Sequence, residues 1–138
     1  MIILDTNVIS EAMRGPVADP SVLGWLQSLT RQPVTTVINR AEIMAGVALL
    51  PVGARRERLR SAAESAFGTL GVCLPLVPEC ADRYADVVAS RRVAGRPIGG
   101  MDALIAAIAL VSGASLATRD LDDFGGLGIT LINPWAET

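Results

Sequence analysis

The sequence predicts an α/β fold, a single-domain three-layer α/β/α sandwich with a central, mainly parallel sheet of five strands. Short runs rich in Val, Ile and Leu alternate with longer segments of helical periodicity, which is the pattern of a parallel sheet whose strands are joined by helices. The strand runs are almost continuously apolar, as expected of strands that are buried on both faces. The chain has 138 residues, the size of one ordinary domain, so we expect residues 1–138 to form one unit.

Each predicted element follows from a local pattern. Five short apolar runs are expected to form the strands, at residues 2–4, 34–38, 72–76, 115–117 and 129–132. Six segments carry apolar residues at helical spacing, at residues 7–13, 20–29, 39–50, 54–69, 79–94 and 102–112. Glycine and proline separate these segments, as at Gly15-Pro16, Pro33 and Gly113, and they mark where one element ends before the next begins.

The helix predicted at 20–29 carries an apolar stripe with two interpretations. Its members share one face at helical spacing: Val22, Trp25, Leu26 and Leu29. This face either packs into the core, as amphipathic helices usually do, or accepts a helix of a partner protein.

The composition excludes most catalytic classes. The chain has no histidine, and all 12 of its basic residues are arginine, so it has no lysine. It therefore lacks the residues needed for Ser-His-Asp and Cys-His sites, for Schiff-base lysines and for phosphate-binding loops. Two cysteines without a histidine are too few for a zinc site. What remains is carboxylate chemistry, and carboxylate oxygens bind hard cations such as Mg²⁺ and Mn²⁺.

The charge and the hydropathy pattern indicate where the chain acts. Its formal net charge is −2, so no overall basic field favours nucleic-acid binding, and any such contact must be local. The longest uninterrupted apolar stretch, residues 103–111, is far shorter than a membrane span. We expect the first strand to begin at residue 2 and therefore expect no signal segment before it. We therefore expect a cytoplasmic protein without a membrane segment.

Four carboxylates map to one edge of the predicted sheet. Each of them follows a strand or lies near the start of a helix: Asp5, Glu42, Asp102 and Asp120. In parallel sheets, ligands bind at the carboxyl ends of the strands. Each acid taken singly is typical of a helix or turn cap. Together they would repel one another unless a cation lies among them.

The residues around these acids form four blocks. The blocks are Leu4-Asp5-Thr6-Asn7-Val8-Ile9-Ser10; Thr36 with Ala41-Glu42-Ile43 and Gly46-Val47; Asp102-Ala103-Leu104-Ile105-Ala106; and Ala117-Thr118-Arg119-Asp120 with Asn133-Pro134-Trp135. In this order they resemble the PIN-domain family and, within it, the VapC- and FitB-like toxins of bacterial toxin–antitoxin pairs. The resemblance runs nearly end to end, and four ordered blocks are far more specific than any single acid.

The resemblance implies an endoribonuclease that depends on Mg²⁺ or Mn²⁺ and forms a homodimer. It also implies a partner, a small antitoxin of the VapB or FitA kind, whose arginine-bearing tail reaches the acidic pocket and silences the enzyme. A larger complex with this antitoxin is compatible with the family.

The family's site residues carry over position by position. Four residues match its catalytic, metal-binding acids: Asp5, Glu42, Asp102 and Asp120. Three residues match its supporting polar side chains: Thr6, Asn7 and Thr118. Asp123 lies just downstream of Asp120 and is the alternative fourth acid. Asn39 and Arg40 depart from the mostly apolar residues of the family at these positions, and Arg40 could pair with Glu42 or touch a phosphate.

The implied reaction is hydrolysis of an RNA phosphodiester by water. A bound metal ion lowers the pKa of its water and stabilises charge on the phosphoryl oxygens. We expect Asp5 and Asp102 to be direct or water-bridged ligands. Glu42 and Asp120 would complete the shell, and one of them would accept the proton of the attacking water. The sequence leaves open whether one or two ions act.

Two groups of arginines are candidate RNA contacts. Arg91, Arg92 and Arg96 precede Asp102 in sequence and are the better candidates. The denser cluster within residues 55–60 is more typical of a solvated helix face. Aromatic residues make up only 4% of the chain, so a base-stacking platform is not expected.

Two other functions use a similar arrangement of acids. A receiver-type signalling domain also gathers acids at this edge and binds Mg²⁺, but its pattern includes a lysine that this chain lacks. A catalytically silent PIN-like domain would keep the acids and act as a binding module. RNA cleavage that is lost on Asp5→Asn substitution would separate the nuclease from the binding module.

Overall fold

Five strands and seven helices alternate along residues 1–136, the part of the chain that this computed structural model describes. The strands are Ile2–Leu4 (β1), Thr35–Thr36 (β2), Cys73–Leu74 (β3), Ser115–Ala117 (β4) and Leu131–Ile132 (β5). The helices are Thr6–Ala12 (α1), Pro20–Ser28 (α2), Val37–Ala48 (α3), Ala54–Thr69 (α4), Cys80–Val93 (α5), Gly100–Ser112 (α6) and Leu121–Phe124 (α7). A 3-10 turn, Gly15–Val17, lies between α1 and α2.

The strands are all parallel and lie in the order β3-β2-β1-β4-β5. β1, β4 and β5 form a three-stranded section of the sheet, and β2 and β3 form a two-stranded section. A single bridge between Ile3 and Val34 joins the two sections. Val34 donates to the oxygen of Ile2 and accepts from the nitrogen of Leu4, both at 2.9 Å. The predicted α/β class is confirmed, although the five strands form two sections that are joined at one bridge.

The chain builds the sheet on one side of β1 and then crosses to the other side. This reversal makes the carboxyl end of β1 the switch point of the sheet. β2 and β3 lie on one side of β1, and β4 and β5 lie on the other. In open α/β sheets ligands bind in the crevice at such a point. The residue at this position is Asp5.

The boundary between β2 and α3 differs from the prediction. The run 34–38 predicts a strand, but β2 ends at Thr36 and Val37 already belongs to α3. The Thr36 hydroxyl caps the helix by accepting a hydrogen bond from the backbone nitrogen of Asn39, at 3.1 Å. Such a cap contributes about 1 kcal/mol, which offsets the modest strand preference of Val and Ile. α3 therefore starts two residues earlier than predicted.

Other elements also differ from the prediction. β3 and β5 are two-residue strands, shorter than the runs 72–76 and 129–132. α7 was not predicted, because its four residues are too few to show helical periodicity.

The sheet is covered by apolar clusters on both faces, as its apolar strands predict. Ile3 and Leu116 belong to a cluster built largely around α5 and α6. Leu4 and Ala117, their chain neighbours, belong to a second cluster that includes residues of α1, α2, α3 and α4. Successive strand residues point to opposite faces, so the two clusters lie on opposite sides of the sheet.

The apolar stripe of α2 contributes to the second of these clusters. Val22 is fully buried, whereas Trp25 and Leu26 are half-buried and pack against the cluster. The core interpretation therefore holds for Val22, while Leu29 remains partly exposed beyond the end of α2.

α6 is the most buried helix of the domain core. Six of its residues are buried, and Asp102 in its first turn is the acid that it carries. The helix ends at Gly113, whose φ of 63° is left-handed, a conformation that glycine adopts without strain. None of the helices in residues 1–136 combines the length and the apolar character that a bilayer span requires.

Candidate active site

Asp5 is the centre of the candidate site. It follows β1, caps the start of α1 and is only 4% exposed. Its Oδ1 accepts hydrogen bonds from the backbone nitrogen of Thr6 at 2.8 Å and from Nδ2 of Asn39 at 3.0 Å. Its Oδ2 accepts from the hydroxyl of Thr118 at 2.7 Å. The cap interpretation and the site interpretation are thus both compatible with Asp5, whose carboxylate is fixed by three donors.

Glu42 approaches Asp5 from α3. The hydroxyl of Thr6 donates to Oε1 of Glu42 at 2.7 Å. The sequence predicts Glu42 in the first turn of this helix. Because α3 begins at Val37, Glu42 lies in its second turn instead. The side chain is half-buried, so it borders the site from the side of α3.

Asp120 approaches from the segment that follows β4. Its Oδ2 accepts from Nδ2 of Asn7 at 3.2 Å, and its backbone nitrogen donates to the hydroxyl of Thr118 at 3.0 Å. Oδ1 of Asn7 accepts from the backbone nitrogen of Arg119 at 3.3 Å. Asn7 and Thr118 therefore tie the start of α1 to the end of β4 and hold Asp120 at the rim.

Asp102 faces the other acids from α6. The helix begins at Gly100 with Gly99 as its cap, so Asp102 lies in the first turn and does not cap the helix. Burial raises the pKa of Asp102 to about 6, and repulsion from four other carboxylates adds to this shift: Asp5, Asp123, Glu42 and Asp120. The repulsion indicates that these acids lie in the neighbourhood of Asp102.

The pKa of Asp5 is also raised, mainly by burial. The hydrogen bonds from Thr118 and from the backbone of Thr6 oppose this rise, whereas the charges of Glu42 and Asp120 add to it. Burial is also the largest cause of the raised pKa of Asp102. Negative charge is therefore most costly at the buried side of the site.

The donor set fits a hard divalent cation. All of the acids offer oxygen ligands, which Mg²⁺ and Mn²⁺ prefer, and a cation would offset the repulsion that raises the pKa of Asp102. Within residues 1–136, however, no three acidic or thiol side chains lie close enough to form a finished metal cluster. The oxygens of Glu42 and Asp120 face Thr6 and Asn7 instead, so direct coordination requires side-chain rotation.

Asn39 is the residue of the site that the sequence did not assign. It is fully buried and lies in the first turn of α3, within hydrogen-bond distance of Asp5 and Thr6. The sequence carried one signal, an amide where the resemblance leads us to expect an apolar residue. Thr36 carried a second signal, since threonine is a favoured N-cap residue and a helix that starts there has Asn39 in its first turn.

The prediction that Arg91 contacts RNA is wrong. Arg91 is 6% exposed, and its guanidinium donates to backbone oxygens of residues 96, 122, 123 and 125 at 2.6–3.4 Å. A buried guanidinium with these partners has no surface for a phosphate. Arg96 is exposed but also donates to the oxygen of Asp122, at 2.7 Å. Arg92 is exposed and stays a predicted RNA contact.

Two other arginines pack on aromatic rings. The guanidinium of Arg40 lies 4.7 Å from the ring centre of Phe67 on α4, and among the described residues it forms no ion pair with Glu42. The guanidinium of Arg119 lies 4.5 Å from the ring centre of Trp135. Arg119 thereby connects the acidic segment after β4 to the segment after β5.

Comparison with known proteins relates the chain to one family. A family model described as PIN domain matches residues 2–127. The plasmid stability protein StbB of Pseudomonas syringae pv. tomato is 40% identical over 138 residues, which are 98% of this chain and 99% of the relative. The VapC ribonuclease Y4jK of Sinorhizobium fredii is 36% identical over 138 residues, which are 98% of each chain.

A solved structure shares both sequence and fold with this chain. In the crystal structure of FitAcB from Neisseria gonorrhoeae, one chain superimposes with a TM-score of 0.87 and is 36% identical, over 98% of this chain and 99% of that one. The region that the family model matches, residues 2–127, contains every acid of the site.

Proposed function

This chain belongs to the PIN-domain family, and from that premise we propose that it is the toxin of a toxin–antitoxin pair, an endoribonuclease that depends on Mg²⁺ or Mn²⁺. The observation that carries this proposal is the set of side-chain hydrogen bonds that link Asp5, Glu42 and Asp120 at the carboxyl end of β1. The repulsion that these acids exert on Asp102 supports a place for the fourth acid beside them. The relatives support the class of activity, since one of them is a VapC ribonuclease.

The acids would divide the work of holding the ion. Asp5 and Asp102 would be its ligands, directly or through water, and Glu42 and Asp120 would complete the shell. When bound, the ion supplies positive charge to the phosphoryl oxygens and makes a water molecule more acidic. Thr6, Asn7 and Thr118 support these acids through the hydrogen bonds described above.

The protein's own part in the reaction is to orient carboxylates and to accept a proton. Water attacks phosphorus, a bond from its oxygen to phosphorus forms, and the bond from phosphorus to one ribose oxygen breaks. That ribose oxygen takes up a proton from solvent and leaves as a hydroxyl. Glu42 or Asp120 would take the proton of the water. Within residues 1–136 each is held by a single neutral side-chain donor, Thr6 or Asn7, so each keeps a free oxygen for this purpose.

The same acidic site suits the partner that we propose, an antitoxin of the VapB or FitA kind. An arginine in its tail would pair with carboxylates that otherwise repel one another, which is the charge complementarity of specific interfaces. We further propose that the toxin forms a homodimer, as members of the family usually do.

The test is cleavage of a total bacterial RNA mixture by the purified protein with Mg²⁺ or Mn²⁺. We expect cleavage that EDTA abolishes and that the Asp5→Asn, Asp102→Asn double variant loses. Asp86→Asn is the matched control, because Asp86 is an exposed acid on α5, and it should cleave as the parent does.

Two results would contradict the proposal. Full cleavage by the double variant would remove the activity from these acids. Absence of cleavage by folded protein that binds Mn²⁺ would instead favour a catalytically silent binding module.

A further inference from the structure

We propose that Asn39 is a positioning residue that orients Asp5 and Thr6 for the divalent ion, an inference that rests on the proposed function. It does not touch RNA or reacting atoms, because its side chain is fully buried. Its effect on the site runs through the two residues to which it donates.

The amide of Asn39 uses all of its hydrogen-bonding groups inside the protein. Nδ2 donates to Oδ1 of Asp5 at 3.0 Å and to the hydroxyl oxygen of Thr6 at 3.1 Å. Oδ1 accepts from the hydroxyl of Thr36 at 2.7 Å. An amide nitrogen has two hydrogens, and each of them has a partner here.

The orientation of this amide follows from its partners. An ionised carboxylate can only accept hydrogen bonds, so the nitrogen and not the oxygen of Asn39 must face Asp5. The Thr36 hydroxyl donates to the oxygen of Asn39, and it accepts from the backbone nitrogen of the same residue at 3.1 Å. Thr36, which is itself fully buried, thus fixes which end of the amide faces the site.

The same amide also determines the direction of the next hydrogen bond. Because the oxygen of Thr6 accepts from Asn39, its own hydrogen is free to donate to Glu42, at 2.7 Å. Donation therefore runs one way, from Thr36 through Asn39 and Thr6 to Glu42. Asn39 and Glu42 lie three residues apart, on one face of α3, so the start of this helix orients two acids of the site.

The consequence concerns metal affinity. Partners that hydrogen-bond to metal ligands fix their rotamers, and their removal typically lowers metal affinity or activity about 10- to 100-fold. Without Asn39, Oδ1 of Asp5 would keep only its bond from the backbone of Thr6. The carboxylate could then rotate away from the position that its three donors define.

The experiment is a calorimetric titration of the full chain with Mn²⁺. Asn39→Leu keeps a similar side-chain volume and removes both donors, and we expect it to weaken Mn²⁺ binding about 10- to 100-fold. Val87→Ala is the matched control, since Val87 is buried on α5 away from these hydrogen bonds. It should lower Tm and leave Mn²⁺ affinity unchanged, which separates positioning from general stability.

Two milder variants keep the proposal testable if Asn39→Leu does not fold. Asn39→Ala removes the same donors without added bulk, and Thr36→Val leaves Asn39 in place but removes the hydroxyl that orients it. Both should weaken Mn²⁺ binding, the second by the smaller factor. Wild-type Mn²⁺ affinity in folded Asn39 variants would overturn the positioning role alone. Absence of saturable Mn²⁺ binding by the parent would overturn the metal site and this inference together.

Discussion

The candidate site has two walls that are held in different ways. The inner wall consists of Asp5, Thr6, Asn39 and Thr118, whose side chains hydrogen-bond to one another. The outer wall is the segment 119–125, whose aspartates at positions 120, 122 and 123 are exposed. Arg91 and Arg96 hold this wall by its backbone oxygens, so its side chains keep more freedom than those of the inner wall.

This difference teaches which substitutions each wall should tolerate. At the inner wall, the position of a carboxylate depends on particular side-chain partners, so a change of one partner displaces it. At the outer wall, the backbone path is fixed and neighbouring aspartates present similar oxygens. Exchange of roles among these aspartates is therefore less costly than any change at Asp5.

The largest effect on stability is expected from the buried arginine behind the outer wall. Arg91→Met leaves several backbone oxygens without donors, and loss of hydrogen bonds to a charged group should lower the free energy of unfolding by about 2–4 kcal/mol. Arg92→Met, at the exposed neighbouring position, should change it by less than about 0.5 kcal/mol. Urea denaturation of both variants measures the difference. Equal effects would mean that Arg91 does not hold the outer wall.

The second effect concerns the fourth acid. Asp120→Asn should reduce RNA cleavage about tenfold, because Asn7 holds this carboxylate at 3.2 Å. Among the described residues the Asp123 side chain has no hydrogen-bond partner, so Asp123→Asn should have a smaller effect. The double variant should raise the activation free energy of cleavage by more than the sum of the two single effects, since either aspartate can serve in part for the other. If the order of the single variants is reversed, Asp123 is the fourth acid.

A smaller effect is the pH dependence that Asp102 adds to stability. Its pKa rises from 3.8 to about 6 on folding in the absence of metal. Between these values the folded state binds more protons than the unfolded state, so the contribution of Asp102 to stability falls as pH rises. Asp102→Asn removes this penalty. Its Tm should therefore exceed that of the parent by a margin that grows from about pH 4 to about pH 6.

Thermal unfolding in metal-free buffer at several pH values measures this margin. A margin that does not change with pH would contradict the raised pKa of Asp102. Addition of Mg²⁺ to the parent at pH 7 should reduce the margin, because a cation offsets the same repulsion.

The smallest effect is expected at the surface. Arg92→Ala should weaken RNA binding to the Asp5→Asn, Asp102→Asn protein and should reduce the dependence of log affinity on log salt by about 1. Filter binding at a series of salt concentrations measures this slope. A loss of affinity that is the same at every salt concentration would argue against a phosphate contact by Arg92.

The sequence predicts the meeting of the acids because parallel strands align their carboxyl ends. Asp5 and Asp120 follow β1 and β4, which are direct neighbours, and that pairing brings them to the same edge of the sheet. The layers are predictable for a similar reason, since apolar strands need cover on both faces.

Side-chain hydrogen bonds between distant elements are what the sequence could not supply. Val37 and Ile38 look like strand residues until the Thr36 cap is known, and the inward turn of Asn39 depends on that cap. Arg91 looks like Arg92, but it continues the spacing of Cys80, Tyr84 and Val87 along the inner face of α5. That spacing was visible in the sequence, whereas the backbone oxygens that receive the guanidinium were not.

The packing of Arg119 on Trp135 gives the site an optical reporter of its own. The ring lies 4.5 Å from a guanidinium whose backbone adjoins Asp120, and indole fluorescence responds to a nearby charge. The chain has two tryptophans, so replacing Trp25 with phenylalanine would leave Trp135, beside the outer wall, as the single tryptophan. The binding of a ligand in the acidic pocket could then be followed by tryptophan fluorescence, without labelling the protein.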